Sequence, residues 1–538
     1  MTSCRHCEAE GKAVDSWHEA VQLADLEREG RLVARVGGRQ IALFATPQGV
    51  FACNNRCPHE GYPLSEGLLD GACVLTCQWH NWKFDLRTGE NRLGGDRLRV
   101  YPVSIRDGRV WVDLSEAPFE LRRAETLSHL REAFDDEDHQ RLARELARLH
   151  QLGADPIDVV VDAIVWSHDR LEFGWTHAYA GAADWLRLHD EHSGDAETQL
   201  ICLLESVAHM AHDALREPVF AYTLEAIPYD ETHFVQAVEE EEEASAVAMI
   251  RGALRAGCAF GDVERGLTRA ALAHYNDFGH SLIYLTKAAQ LIRRLGPRVV
   301  EALLVSLVRS LVYATREDQI PEFRGYRAAL QRWGTGSGAI PEADAWRGLG
   351  IDAALERTLT CSAVEPERLY AVLLGASADA MVHFDARWQE RTRIPVSDNV
   401  GWLDFTHAIT FGSAVRMQCS RFPELWPQGL LQMACFSGRN ARYTDPRIEE
   451  RRWLVDDVEL FLNERVQALF DHGCPEFIVS VHLLKTVLAV REELGAGLPH
   501  EVAATLAAAL NRFISTPLKR RHVRRTAYQA IRFVAREG

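Results

Sequence analysis

Two short segments carry four side chains able to hold a soft metal. Cys57-Pro58-His59 is followed, after 17 residues, by Cys77-Gln78-Trp79-His80. Each segment offers one thiolate and one imidazole. A [2Fe–2S] cluster with two cysteines on one iron and two histidines on the other needs that set. Thiolates are soft, charged ligands, whereas neutral imidazoles reduce the negative charge and raise the potential above that of an all-cysteine cluster. Pairing Cys-x-His with Cys-x-x-His lets each loop give one ligand to each iron. The competing reading of these ligands is a Cys2His2 zinc site, but zinc fingers pair cysteine with cysteine and histidine with histidine.

The flanking residues are His59-Glu60-Gly61-Tyr62-Pro63-Leu64-Ser65-Glu66-Gly67 and His80-Asn81-Trp82-Lys83-Phe84-Asp85-Leu86-Arg87-Thr88-Gly89-Glu90. They resemble Rieske ferredoxins and the Rieske domains of oxygenases. This resemblance implies Cys57 and Cys77 on one iron and His59 and His80 on the other. Respiratory-complex Rieske proteins carry an extra cysteine in each loop, joined as a disulfide; those places are held here by Tyr62 and Trp79. Phe84 stands where a high-potential relative offers a tyrosine hydroxyl to the ligand sulfur. Fewer hydrogen bonds to the cluster mean a lower potential, suited to oxygen chemistry rather than to accepting electrons from a quinol.

The elements that must position these loops are short strands. From about Trp17 to Leu114, turn signals recur at close intervals. Leu32–Val36 and Gln40–Phe44 around Gly37-Gly38 read as a hairpin. Val50–Ala52, Ala72–Leu75 and Val110–Val112 read as further strands, the last after Arg106-Asp107-Gly108. The expected architecture is multidomain: a tail at 1–16, a small all-β domain at 17–118 and a large all-α domain at 119–538.

Beyond Glu120 the apolar spacing turns helical, as in Glu197–Leu215, Arg298–Thr315 and Glu501–Phe513. A weak repeat points to a pseudo-duplication of helical bundles, with half-repeats at roughly 150–330 and 345–530. Trp175-Thr176-His177-Ala178 recurs as Phe405-Thr406-His407-Ala408, each read as opening a helix. Tyr284–Gly296 also aligns with Leu483–Gly495 without a gap. Gly334-Thr335-Gly336-Ser337-Gly338 has the wrong spacing for a phosphate loop and reads as a linker.

In that alignment His280 matches Val479, one turn before His482. Packing about a pseudo-twofold axis brings His280 and His482 together in a bundle core, and His177 and His407 complete a four-histidine set. Lys485 shares the face of His482. Its amine is read as neutral, as paired with an acid such as Asp404, or as a ligand after carboxylation. Asp404, one turn before His407, is the expected acceptor of a ring N–H or itself a ligand. A redox-inert ion is of no use to a one-electron donor, so non-haem iron is expected over zinc. Phe405–Ala408, Phe278–Tyr284 and Val481–Lys485 resemble segments of the questin oxidase-like family across residues 150–520, which implies oxidation of aromatic compounds. His209, His212 and Glu205 on one helix face are the fallback metal set. His274 and His189-Asp190-Glu191-His192 rank lower, as does Cys4-Arg5-His6-Cys7.

The formal charge of −17 argues against general nucleic-acid or anionic-membrane binding. No export signal or apolar span is seen, so a cytoplasmic location is expected. With no dinucleotide fingerprint, electrons are expected from an external NAD(P)H-dependent reductase or ferredoxin reductase. The expected co-reactants are dioxygen and a small organic molecule. Homo-oligomerisation stays open. The rival reading is an electron carrier whose helical part is a docking scaffold for a separate oxidase.

Overall fold

The computed structural model describes residues 16–336 and 338–536, so Cys4-Arg5-His6-Cys7 and Ser337 lie outside it. The chain is multidomain, with a small all-β region followed by a large helical one. It divides into two compact units. One holds residues to Ala133 together with Asp138–Ala154, and the other holds Phe134–Glu137 and all that follows Ala154.

Among its described residues the first unit has eleven strands: β1 (Trp17–Gln22), β2 (Arg31–Val36), β3 (Arg39–Thr46), β4 (Gly49–Asn54), β5 (Leu68–Leu69), β6 (Val74–Thr76), β7 (Lys83–Asp85), β8 (Asn91–Leu93), β9 (Val100–Tyr101), β10 (Val103–Arg106) and β11 (Arg109–Asp113). They form sheets of order β1-β11-β10, β2-β3-β4-β9 and β5-β6-β7-β8. Gly37 and Gly38, both at positive φ, close the β2–β3 hairpin in register Val36 to Arg39. Asp107 and Gly108 do the same between β10 and β11. Such turns match the twist of paired strands. β3 is buried on both faces. Ala42 and Phe44 face a core with Leu64, Leu75, Phe84, Cys57 and Cys77, while Ile41 and Leu43 face one with Leu26, Val110 and Val112. The period of two thus splits one strand between two cores.

This unit runs past residue 118. It takes in α1 (Phe119–Asp135) as far as Ala133 and α2 (His139–Leu152). Asp96 ties α2 to the strands: its buried carboxylate is held by Arg144 at 2.7 Å and Arg141 at 3.4 Å, both from α2. A buried carboxylate without such partners would be costly.

In the helical unit, four helices close a ring: α3 (His177–Glu191), α4 (His280–Leu295), α5 (Trp402–Arg421) and α6 (Phe477–Gly495). α3 packs on α4, α4 on α5, α5 on α6, and α6 back on α3. Close approach needs small residues. A Cβ on Gly181 of α3 would stand 2.7 Å from Cγ2 of Val481 on α6. Among the described residues, no helix is long and apolar enough to cross a membrane.

Candidate metal centres

In the β unit, the loops at Cys57 and Cys77 repeat one hydrogen-bond plan. The Cys57 N–H donates to Tyr62 O (2.9 Å) and the Cys77 N–H to Trp82 O (2.8 Å). Gly61 and Asn81 donate back to Cys57 O and Cys77 O. Both turn residues have positive φ (76° and 62°), which glycine and asparagine tolerate best. Equal turns therefore present equal ligands. Both thiols are buried, whereas His59 and His80 reach the surface with their Nδ1 atoms 3.1 Å apart. Burial and the neighbouring Cys77 push the Cys57 thiol up to about 11, so a thiolate here needs a cation beside it. Two thiols inside and two imidazoles outside fit a [2Fe–2S] cluster. Trp82 stacks on the His59 ring at 4.5 Å. Tyr62 and Trp79 meet edge to face at 5.6 Å.

In the helical unit, the four imidazoles read from the sequence come together in the order of their helices. Ring centroids are 4.8 Å apart for His177–His280, 4.6 Å for His280–His407, 4.7 Å for His407–His482 and 4.7 Å for His482–His177. The His177–His407 diagonal is 6.1 Å. Their Nε2 atoms lie 3.2, 2.8 and 3.2 Å apart along the first three edges. Ligand nitrogens of His177, His280 and His407 lie within 4.8 Å of one another. His482 stands beside His407 and across the ring from His280, not paired with it as the pseudo-twofold reading expected. Neighbouring nitrogens on one ion, each bonded at about 2.1 Å, are about 3.0 Å apart at right angles.

The outer nitrogens define the tautomers. His407 Nδ1 lies 2.6 Å from Leu403 O, and His482 Nδ1 lies 2.6 Å from Ile478 O. A carbonyl only accepts, so both protons sit on Nδ1 and both Nε2 lone pairs point inward. Burial, Lys485 and the neighbouring rings hold His177, His407 and His482 well below the usual imidazole range. Neutral imidazoles with converging lone pairs are what a metal ion requires.

His177 and His280 are each the first residue of their helix, with Thr176 capping α3 through Ala178 N. His407 and His482 are each the sixth residue. The segment Phe405–Ala408 therefore does not open a helix; α5 begins at Trp402, where Gly401 and Asp404 cap it. That also corrects the reading of Asp404. Its oxygens accept from Gly401 N (2.8 Å) and Arg439 (2.9 Å), and the ring N–H of His407 goes to Leu403 O instead.

Lys485 is fully buried, its Nζ has no hydrogen-bond partner, and burial pushes its amine down to about 7. It lines a cavity of about 20 Å³ with Thr286, Thr410 and Ser413. That cavity shares Thr286, Met417 and Glu492 with a cleft of about 660 Å³. The fallback set does not converge. Glu205 meets His472 (3.3 Å), His209 stacks on Phe477, and His212 faces Glu137 (3.5 Å).

Three features at the ring were not read from the sequence. Tyr284 Oη stands 3.3 Å from His177 Nδ1, and its position four residues after His280 was the available signal. Asp277 Oδ2 lies 3.4 Å from His280 Nδ1. Asp277, Phe278 and Gly279 are also all left-handed, at φ 45°, 50° and 76°. No local pattern announces two non-glycine residues there.

Residues 16–102 match the family model of the Rieske [2Fe-2S] domain. The chain is 34% identical over 101 residues to the naphthalene 1,2-dioxygenase system ferredoxin component of Pseudomonas putida, covering 18% of this chain and 96% of that protein. It is 37% identical over 78 residues to the 3-phenylpropionate/cinnamic acid dioxygenase ferredoxin subunit of Photorhabdus laumondii, covering 14% of this chain and 74% of that protein. It is also 37% identical over 105 residues to the 4beta-methylsterol monooxygenase of Methylococcus capsulatus, covering 16% of this chain but only 28% of that protein. The matched stretch and the paired Cys-His loops fall in the same domain: through its N-terminal β domain, the chain belongs to the Rieske [2Fe-2S] family.

Proposed function

We propose that this chain is an oxygenase in which the Rieske domain passes electrons to a non-haem iron held by His177, His280, His407 and His482. The observation that carries the reading is the ring itself: His177, His280 and His407 with ligand nitrogens within 4.8 Å of one another, and His482 Nε2 3.2 Å from that of His407. When bound, the cluster supplies single electrons and the iron supplies a place where dioxygen is activated.

The residues of the chain define the rest. Leu403 O and Ile478 O fix two tautomers, Tyr284 and Asp277 orient the other two rings, and burial of His407 and His482 keeps water from the inner edge. Lys485 keeps an unsolvated amine next to the ring, and the cavity it lines has room for one water-sized molecule. The relatives named as dioxygenase ferredoxin components support an external reductase as electron source. The relatives named for naphthalene and for 3-phenylpropionate/cinnamic acid dioxygenase systems support an aromatic substrate.

The test uses the full chain. Replacing Cys57 and Cys77 with Ser removes the cluster, and the remaining iron is then counted. About one iron per chain, lost on adding His407→Ala and His482→Ala, is the expected result. No residual iron overturns the reading in favour of a docking scaffold. Electron paramagnetic resonance of the reduced parent protein should give a rhombic signal with low average g; an all-cysteine signal overturns the cluster assignment.

A further inference from the structure

The helix α7 (Val523–Val534) has its faces the wrong way round for a surface helix. Such helices bury their apolar stripe and expose polar side chains. Here Arg525 is 5% exposed and donates to Arg391 O (2.9 Å), Trp388 O (2.8 Å) and Gln389 O (3.2 Å). Gln529 is held from the same side by Ile394 O and Asn399. The apolar side chains point out, with Val523 66%, Ile531 71%, Phe533 58% and Val534 65% exposed.

Val523, Ala527, Ala530 and Val534 are spaced four, three and four residues apart. That is the seam of a helix packed lengthwise on another helix, and its central alanines permit close approach. Seven cationic side chains and no acidic one lie between Lys519 and Arg536. Of these, Arg520, Arg521 and Arg524 are exposed at the N-terminal end of the seam.

We infer that α7 is the docking surface for an amphipathic helix of another protein, one whose apolar seam is flanked by Asp and Glu. Charge complementarity selects this occupant. Pairing α7 with α7 of a second copy would set arginine against arginine, which costs rather than stabilises. Against an anionic lipid surface stands the chain's formal charge of −17, which repels its headgroups.

The probe is a fluorescein-labelled synthetic helix with leucines at 3–4 spacing and glutamates on both flanks, titrated with the full chain by fluorescence anisotropy. Saturable binding is expected, weakened at least tenfold by Ile531→Asp with Val534→Asp while helix content and metal content stay unchanged. The charge-reversed variant Arg520→Glu, Arg521→Glu, Arg524→Glu should lose the glutamate-flanked probe and gain a lysine-flanked one. Absent binding, or binding indifferent to both variants, overturns the inference. So does self-association in sedimentation that the Asp variant abolishes, or cosedimentation with anionic vesicles in place of peptide binding.

Discussion

The inward nitrogens of His407 and His482 stand 3.2 Å apart while each ring commits its proton to a main-chain carbonyl one turn back, 2.6 Å away. Two lone pairs this close repel unless a positive charge sits between them. Binding an ion that the unfolded chain does not hold stabilises the fold by about 2.7 kcal/mol when the free ion is at about 100 times its Kd. Chelation should therefore lower the melting temperature of the helical unit by several degrees in calorimetry. In His407→Ala the same treatment should do little, and an equal loss in both would show that the ion does not act at this ring.

Phe84 is fully buried in the core that contains Cys57 and Cys77. Phe84→Tyr should raise the cluster's potential, because a hydroxyl reaching a ligand sulfur stabilises the reduced form. Redox titration followed by circular dichroism checks the sign. An unchanged or lower potential would mean that the hydroxyl finds another partner.

A third expectation concerns pH. His274 lies between Asp318 (2.8 Å) and Glu239 (2.7 Å), with Arg327 2.8 Å from the other oxygen of Asp318. Burial disfavours its charge, but the bonds to the two carboxylates outweigh burial and raise it above the usual imidazole range. Both carboxylates are held low. The imidazolium contribution is complete below about pH 6.5 and fades as pH rises through the folded value. The carboxylate contribution is present above about pH 4.3 and fades as acid is added. His274→Gln should thus cost about 2 kcal/mol between about pH 4.5 and 6.5 and less on either side. Urea unfolding across pH measures it; a flat difference would mean that charge is not involved.

What was legible in the sequence was what local spacing determines. The Cys-x-His and Cys-x-x-His loops and the hairpins at Gly37-Gly38 and Asp107-Gly108 lie within a few residues of their own partners, so their chemistry is written in order along the chain. The four histidines of the ring come from helices far apart in sequence, and a short recurring tripeptide with helical periodicity was enough to collect them. The same periodicity misdirected Asp404. Three residues before His407 places it on the right side of α5, but Gly401-Trp402-Leu403-Asp404 is also a helix start, and there the carboxylate turns back to an unpaired N–H. The repeat likewise equated His177 with His407, whereas depth in the helix pairs His177 with His280 and His407 with His482. Amphipathic spacing shows that α7 has two faces and not which one turns inward; that depends on Arg391, Trp388 and Gln389, more than a hundred residues away.

The left-handed run from Asp277 to Gly279 works as a latch. Two non-glycine residues are held there at about 1–3 kcal/mol each. A side chain on Gly279 would strike Phe411, the neighbour of Thr410 on α5 and one turn beyond His407. The main chain entering His280 is thus pinned against α5, and the first residue of α4 holds its place relative to His407. A substitution at Gly279 would therefore be felt at His280 and His407 together, although neither imidazole is touched.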